Sequence, residues 1–203
     1  MPKTLALIFT LIFSFLPFLT KGEEISNFSF PASDEKEYID QEIRLRTDIL
    51  PWSLTIANIG AEYCIDTKWS VVMNVWFCPW KISNRFSVKT VAILPEGRWW
   101  LKSTKKGSFF NVHLNLAWFN VRANDYRYQD CGRPLLGAGI GYGYRLPVNK
   151  RWAFEFEIGA GMANTKYNRY YNVANGALKD TRVTTYWGID RASVAVTYFL
   201  SDL

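Results

Sequence analysis

The chain has 203 residues with 17% aromatics, nine of them Trp, and 21% charged residues. That length allows one ordinary domain with short appendages, and the charge is unevenly spread, with seven acids against Lys36 alone from Glu23 to Glu42. The formal charge of +6 does not imply a nucleic-acid partner, because many of the bases fall in expected turns and loops, next to where anionic lipid head groups would lie.

Residues 1–22 read as a secretory signal peptide. Lys3 supplies the positive start, Leu5 to Leu19 the apolar run, and Thr20 and Gly22 precede a cut before Glu23. A retained anchor is the alternative, but the run is short for a span and contains Pro17. Residues 23–42 are acidic, with Lys36 as the only base, and show no periodicity; they read as a periplasmic N-terminal segment.

From residue 43 onward the chain alternates with a period of two, the signature of strands. The expectation is an all-β fold, an eight-stranded antiparallel transmembrane β-barrel over residues 43–203. The first strand is Ile43–Leu50, closed by Pro51. The second is Thr55–Ile65, the third Trp69–Phe77 and the fourth about Val88–Leu101, where Pro95 predicts a bulge or kink. The fifth is Ser108–Val121, followed by a polar loop, Arg122 to Pro134. The sixth and seventh form the hairpin within Leu135 to Ala163, turning at Pro147 to Lys150. A second long polar loop, Lys166 to Thr184, leads to the eighth, Tyr186–Leu200.

The hairpin of Leu135 to Ala163 decides which side is wet. One face carries Leu136, Ile140, Tyr142, Phe154, Phe156 and Ile158. The other carries Gly137, Gly139, Gly141, Gly143, Gly159 and Gly161, with Arg145, Glu155 and Glu157 among them. A soluble hairpin would put Lys, Ser and Thr on its wet face. Glycine with scattered charge suits a cramped interior, and the broad greasy face suits lipid. A soluble lipocalin-like barrel with the apolar face inward is the alternative fold. Short connections after the second, fourth and sixth strands face longer ones after the third, fifth and seventh, with a short one after the first as the single break; this asymmetry places the N-terminus in the periplasm.

The same phase sends Arg46, Asp48, Glu62, Glu96, Arg98, Arg145, Glu155 and Glu157 into the interior, where unpaired charges are costly. The expectation is a salt-bridge network that plugs the barrel, since eight strands enclose a space that side chains just fill; a gated narrow channel is the alternative. His113, the only histidine, would serve a lipid-modifying enzyme only near the outer rim. Its position five residues past a periplasmic turn, in the inward phase, predicts an interior hydrogen-bonding role and no enzyme. Tyr126, Tyr128, Tyr167, Tyr170 and Tyr171, set among polar residues in the two long loops, form a candidate binding surface for an envelope partner; an aromatic girdle at the lipid interface, extended by solvated loops, is the alternative. Trp69, Trp99, Trp152, Tyr144 and Phe110 are expected in an aromatic girdle at the periplasmic interface. Cys64, Cys78 and Cys131 have no metal-ligand spacing, and no cofactor motif is present; Cys64 reads as a small buried hydrophobe. A Cys78–Cys131 disulfide between two loops on one rim is allowed in an oxidising compartment.

The blocks RTDILP (46–51), NIGAEY (58–63), KWSV (68–71), PWK (79–81), PEGRWW (95–100) and GAGIGYGY…KRW (137–152) resemble a family of uncharacterised outer-membrane barrels from Bacteroides-type bacteria, known as a domain of unknown function. The likeness covers about residues 44–200. It departs in the first block, where the family has Lys-Thr-Asn and this chain has Arg46-Thr47-Asp48, and in the presence of cysteines. It implies a fold, a location and outer-membrane lipid as the surroundings, and brings no catalytic residues.

Overall fold

The computed structural model describes residues 42–80, 86–173 and 175–200. The segments expected at 1–22 and 23–41 lie outside the described residues. Nine strands and one helical turn follow in order: β1 (Ile43–Asp48), α1 (Ile49–Ser53), β2 (Ala57–Cys64), β3 (Trp69–Cys78), β4 (Phe86–Trp100), β5 (Gly107–Ala123), β6 (Tyr126–Asp130), β7 (Leu135–Pro147), β8 (Trp152–Tyr171) and β9 (Leu178–Phe199). Eight of them close into a ring in the order β1-β2-β3-β4-β5-β7-β8-β9, with β9 pairing back onto β1, and every pairing is antiparallel.

Four expectations need correction. The first strand stops at Asp48 rather than Leu50, because the Asp48 carboxylate accepts from the Leu50 N–H at 3.1 Å and starts α1. Pro51 fits that turn, where its missing N–H has no intrahelical partner to lose. Pro95 makes no bulge: on the β5 side the pairing skips Leu94 and Pro95 and resumes in the same register, Ile93 opposite Leu116 and Glu96 opposite His113. Pro95 still sits opposite Met73 in an unbroken β3 ladder, so the missing donor is confined to one edge.

The two long polar loops are also largely strand. Asn124 and Asn175 take the left-handed conformation (φ 54° and 53°) that tight hairpin turns need. The first turn starts β6, the ninth strand, which takes over from β7 between β5 and β8. The second joins β8 to β9, which run paired from the ring out to Tyr170 opposite Leu178.

The wall is uneven in height. β1 pairs with β9 over Asp48↔Ala195 to Arg44↔Phe199; beyond that, β8 is the one strand partner of β9 among the described residues. The short turns at 65–68, 101–106 and 148–151 mark one end of the ring. α1 and the β5–β6 and β8–β9 turns mark the other.

The period-two faces run as the alternation requires. Outward rows stay open, with Ile140 69% and Val112 63% exposed, while Arg98, Arg145 and Glu155 are 0% exposed inside. At the turn end Trp69, Trp99, Phe110, Tyr144 and Trp152 are all exposed. Trp99 stacks on Phe110 with ring centroids 6.1 Å apart, and Phe110 meets Tyr142 edge-on at 5.4 Å.

Candidate functional site: a charged interior and the cavity beyond it

The interior fills from the turn end upward. Arg44 donates to the Glu42 carboxylate at 2.6 Å and to the Thr104 carbonyl at 2.7 Å, with its guanidinium 4.7 Å from the Phe199 ring. Glu42 therefore belongs to the ring rather than to the acidic segment. Above it, Arg145 donates to both Glu62 and Glu155 and lies 4.4 Å over the Trp100 ring. Ser70 links Glu62 to Trp100, donating to the first at 2.7 Å and accepting from the second at 2.9 Å. Arg98 reaches Glu155 at 2.8 Å and Glu157 at 3.4 Å and also bonds Glu96, over the face of Phe109. Stacking a guanidinium on an aromatic face while its edge donates to carboxylates suits Arg and would not suit Lys.

Of the eight charged residues predicted to face inward, seven enter this web of ion pairs. Asp48 stands apart: it caps α1 and accepts from the Val194 N–H at 3.3 Å. Besides Glu42, three members were missed by the sequence reading. Arg44 shares the phase of Arg46, and Arg191 shares the phase of Ser193, so alternation alone could have found both.

The third, Asp190, was hidden by a β-bulge. Gly159 pairs with Arg191 but Ala160 pairs with Ile189, so Asp190 is the extra residue and both Asp190 and Arg191 serve the interior. Arg191 bonds Glu96 at 2.7 Å and the Asn115 side-chain oxygen at 3.1 Å. Asp190 accepts from Asn115 at 3.1 Å and faces His113 Nε2 at 3.0 Å.

His113 is buried with both ring nitrogens engaged. Asn111 must turn its amide N–H toward Glu157, 3.0 Å away, which leaves its oxygen facing His113 Nδ1 at 2.9 Å. The ring is thus held between two side-chain oxygens, Asn111 Oδ1 and Asp190 Oδ2. The glycine wall makes room for it. A Cβ on Gly139 would lie 2.6 Å from His113 Nε2, and one on Gly159 would lie 2.8 Å from His113 Cε1.

Beyond this layer, on the α1 side, the interior is not filled. A cavity of about 440 Å³ has Arg46, Asp48, Glu157, Asp190, Arg191 and Ser193 in its lining, together with Asn74, Trp76, Phe119 and Leu135.

Outside the ring, the five candidate tyrosines lie on strands and divide between two faces. Tyr126 packs on Tyr171 (5.9 Å) and Tyr128 on Tyr167 (5.9 Å); Arg169 lies over Tyr126 at 4.9 Å. Tyr170 is on the opposite face under Arg127, at 4.6 Å. A second bulge in β9, between Arg169↔Asp180 and Tyr170↔Leu178, lets neighbouring Lys179 and Asp180 join the Tyr126 face. There Arg169 and Arg182 both bond Asp180, and the Arg169 guanidinium holds that half-buried carboxyl below its ordinary range. All three cysteines are free, so the allowed Cys78–Cys131 bond is not formed; Cys64 is buried.

A family model described as "Protein of unknown function (DUF3575)" matches residues 27–200. The chain belongs to the DUF3575 family. No match was found among curated proteins or among solved structures. The family match spans every described strand of this DUF3575 protein, including the extension beyond the ring.

Proposed function

We propose that this DUF3575 protein is an integral outer-membrane β-barrel of a Gram-negative, Bacteroides-type envelope. Its N-terminus lies in the periplasm, its periplasmic half is plugged, and its role at the outer end is structural or in binding a partner. The observation that carries this reading is the inversion of the usual distribution. Isoleucine, valine and phenylalanine stand exposed on the outer rows, while arginines and glutamates at 0% exposure fill the inside. Contiguous apolar surface on that scale needs a covering, and hydrocarbon is the covering that suits a ring of antiparallel strands. The exposed tryptophans at the turn end match an interfacial girdle. The extension of β6, β8 and β9, with tyrosines and cations on one face, suits contact with an envelope or surface partner, and nucleic acid has no part in it.

The network argues against a channel, because ions would have to displace charges already bonded to one another. It argues against an enzyme too. His113 is buried in the interior, with its ring nitrogens held by the side-chain oxygens of Asn111 and Asp190 and not open to a substrate. Three assays test the reading. The protein should resist sodium carbonate extraction from membranes and migrate faster on gels unheated than boiled. Release into the carbonate supernatant would refute the membrane assignment, and large stable pores in planar bilayers would refute the plug.

A further inference from the structure

We propose that the cavity above the ion-pair layers binds a small zwitterion of the amino-acid class, carrying an ammonium and a carboxylate on a short apolar body. The inference concerns the inside of the ring and does not depend on what covers the outside. The cavity, about 440 Å³, falls within the roughly 300–1,000 Å³ range of small-molecule sites.

Two charged groups in its lining are buried with bonding capacity unused. The Asp190 side chain is 5% exposed; its Oδ2 takes the bonds from Asn115 and faces His113, and its Oδ1 has no partner. The Arg46 side chain is 3% exposed, and neither its Nε nor its Nη1 has a hydrogen-bond partner. The carboxylates around Arg46 stop at 3.7 Å (Glu155) and 4.0 Å (Glu96 and Glu157), attractive but too far to bond. Arg44, Arg98, Arg145 and Arg191 each reach at least one carboxylate at bonding distance.

Unused donors and acceptors on buried ions are expensive. The two groups ask for opposite things: Arg46 for an acceptor, Asp190 for a donor. A simple anion or cation would serve one and leave the other, whereas a zwitterion serves both with charge-assisted bonds, the strongest available in such a site. Apolar walls at Trp76, Phe119 and Leu135 suit a hydrocarbon side chain. The glycines hold the recognition group in place: a Cβ on Gly161 would come within 2.5 Å of Asp190 Oδ2.

Calorimetric titration of the full chain, folded in detergent micelles, tests this with three probes. These are L-leucine, leucinamide (no carboxylate) and 4-methylpentanoate (no ammonium). Leucine should bind at one saturable site, and each truncated probe should bind at least roughly tenfold more weakly. Asp190→Asn should weaken leucine by roughly tenfold and leave 4-methylpentanoate unchanged. Ala117→Trp, which puts a bulky apolar side chain into the cavity and leaves every charged residue in place, should abolish binding while the protein still shows heat-modifiable migration. If Asp190→Asn does not fold, the three probes and Ala117→Trp still decide. The proposal is overturned by absence of leucine binding up to about 10 mM, by equal affinity for the truncated probes, or by binding that survives Ala117→Trp.

Discussion

The two halves of the ring's interior solve the same problem differently. In the turn-end half each guanidinium is bonded to carboxylates or a carbonyl, and those of Arg44, Arg98 and Arg145 are stacked on rings as well. In the other half Arg46 and Asp190 keep unused bonding groups beside a cavity. The contrast teaches that a narrow ring can hold many charges stably when they are mutually satisfied, and that departures from satisfaction within such a ring point to where a ligand belongs.

Breaking the packed half should have the largest effect. Arg145→Met leaves Glu62 and Glu155 buried without their shared cation, an expected loss of about 3–5 kcal/mol. A urea titration of the folded gel band should show it, and bilayer recordings of the variant should still show no large pore. If stability is unchanged, the network is not what holds that half together.

The boundary between the halves is sharpened by the glycine wall. Gly139→Val would push on His113 and Asp190, at a cost of roughly 1–3 kcal/mol. Gly97→Ala, where a Cβ meets nothing within 4 Å, should stay within about 0.5 kcal/mol. Equal losses in denaturant titration would show that the wall is not a steric requirement.

The exposed extension should respond least. Asp180→Asn removes bonds from Arg169 and Arg182 in a solvated position, where ion pairs contribute little. The Asp180 carboxyl is depressed in the folded protein. Its contribution is therefore present above the unfolded value of about 3.9 and is lost as pH falls through the lower folded value. Hydrogen exchange of the β8–β9 hairpin should be alike in wild type and Asp180→Asn once corrected for intrinsic rates. A difference that grows between pH 5 and 8 would contradict the assignment.

Much of this was legible in the sequence, for one physical reason: alternation with period two fixes which side of a sheet each residue occupies. It placed the Leu136 and Phe154 rows outside and the Gly139 and Glu155 rows inside without knowledge of the partners. What it could not carry was anything that changes phase. The extra residue at Asp190 is set by pairing with β8, although Gly188 (φ 148°), two residues before it, is a type of residue that often marks a bulge. The extension strands were invisible for a different reason. They are polar on both faces, so hydropathy shows no alternation there, and the turn signals at Asn124-Asp125 and Asn175-Gly176 were the readable clue. The unused N–H groups of Arg46 were out of reach, because satisfaction is a matter of distance.

The central claim, that the exposed outer rows contact lipid, is most directly tested by spin-label accessibility at Ile140, the middle of an outward row, in a bilayer-reconstituted variant with Cys64, Cys78 and Cys131 replaced. A nitroxide on Ile140→Cys should relax strongly with oxygen, which concentrates in hydrocarbon, and weakly with a water-soluble nickel chelate. A label more accessible to the chelate than to oxygen would put water against that row and contradict the account.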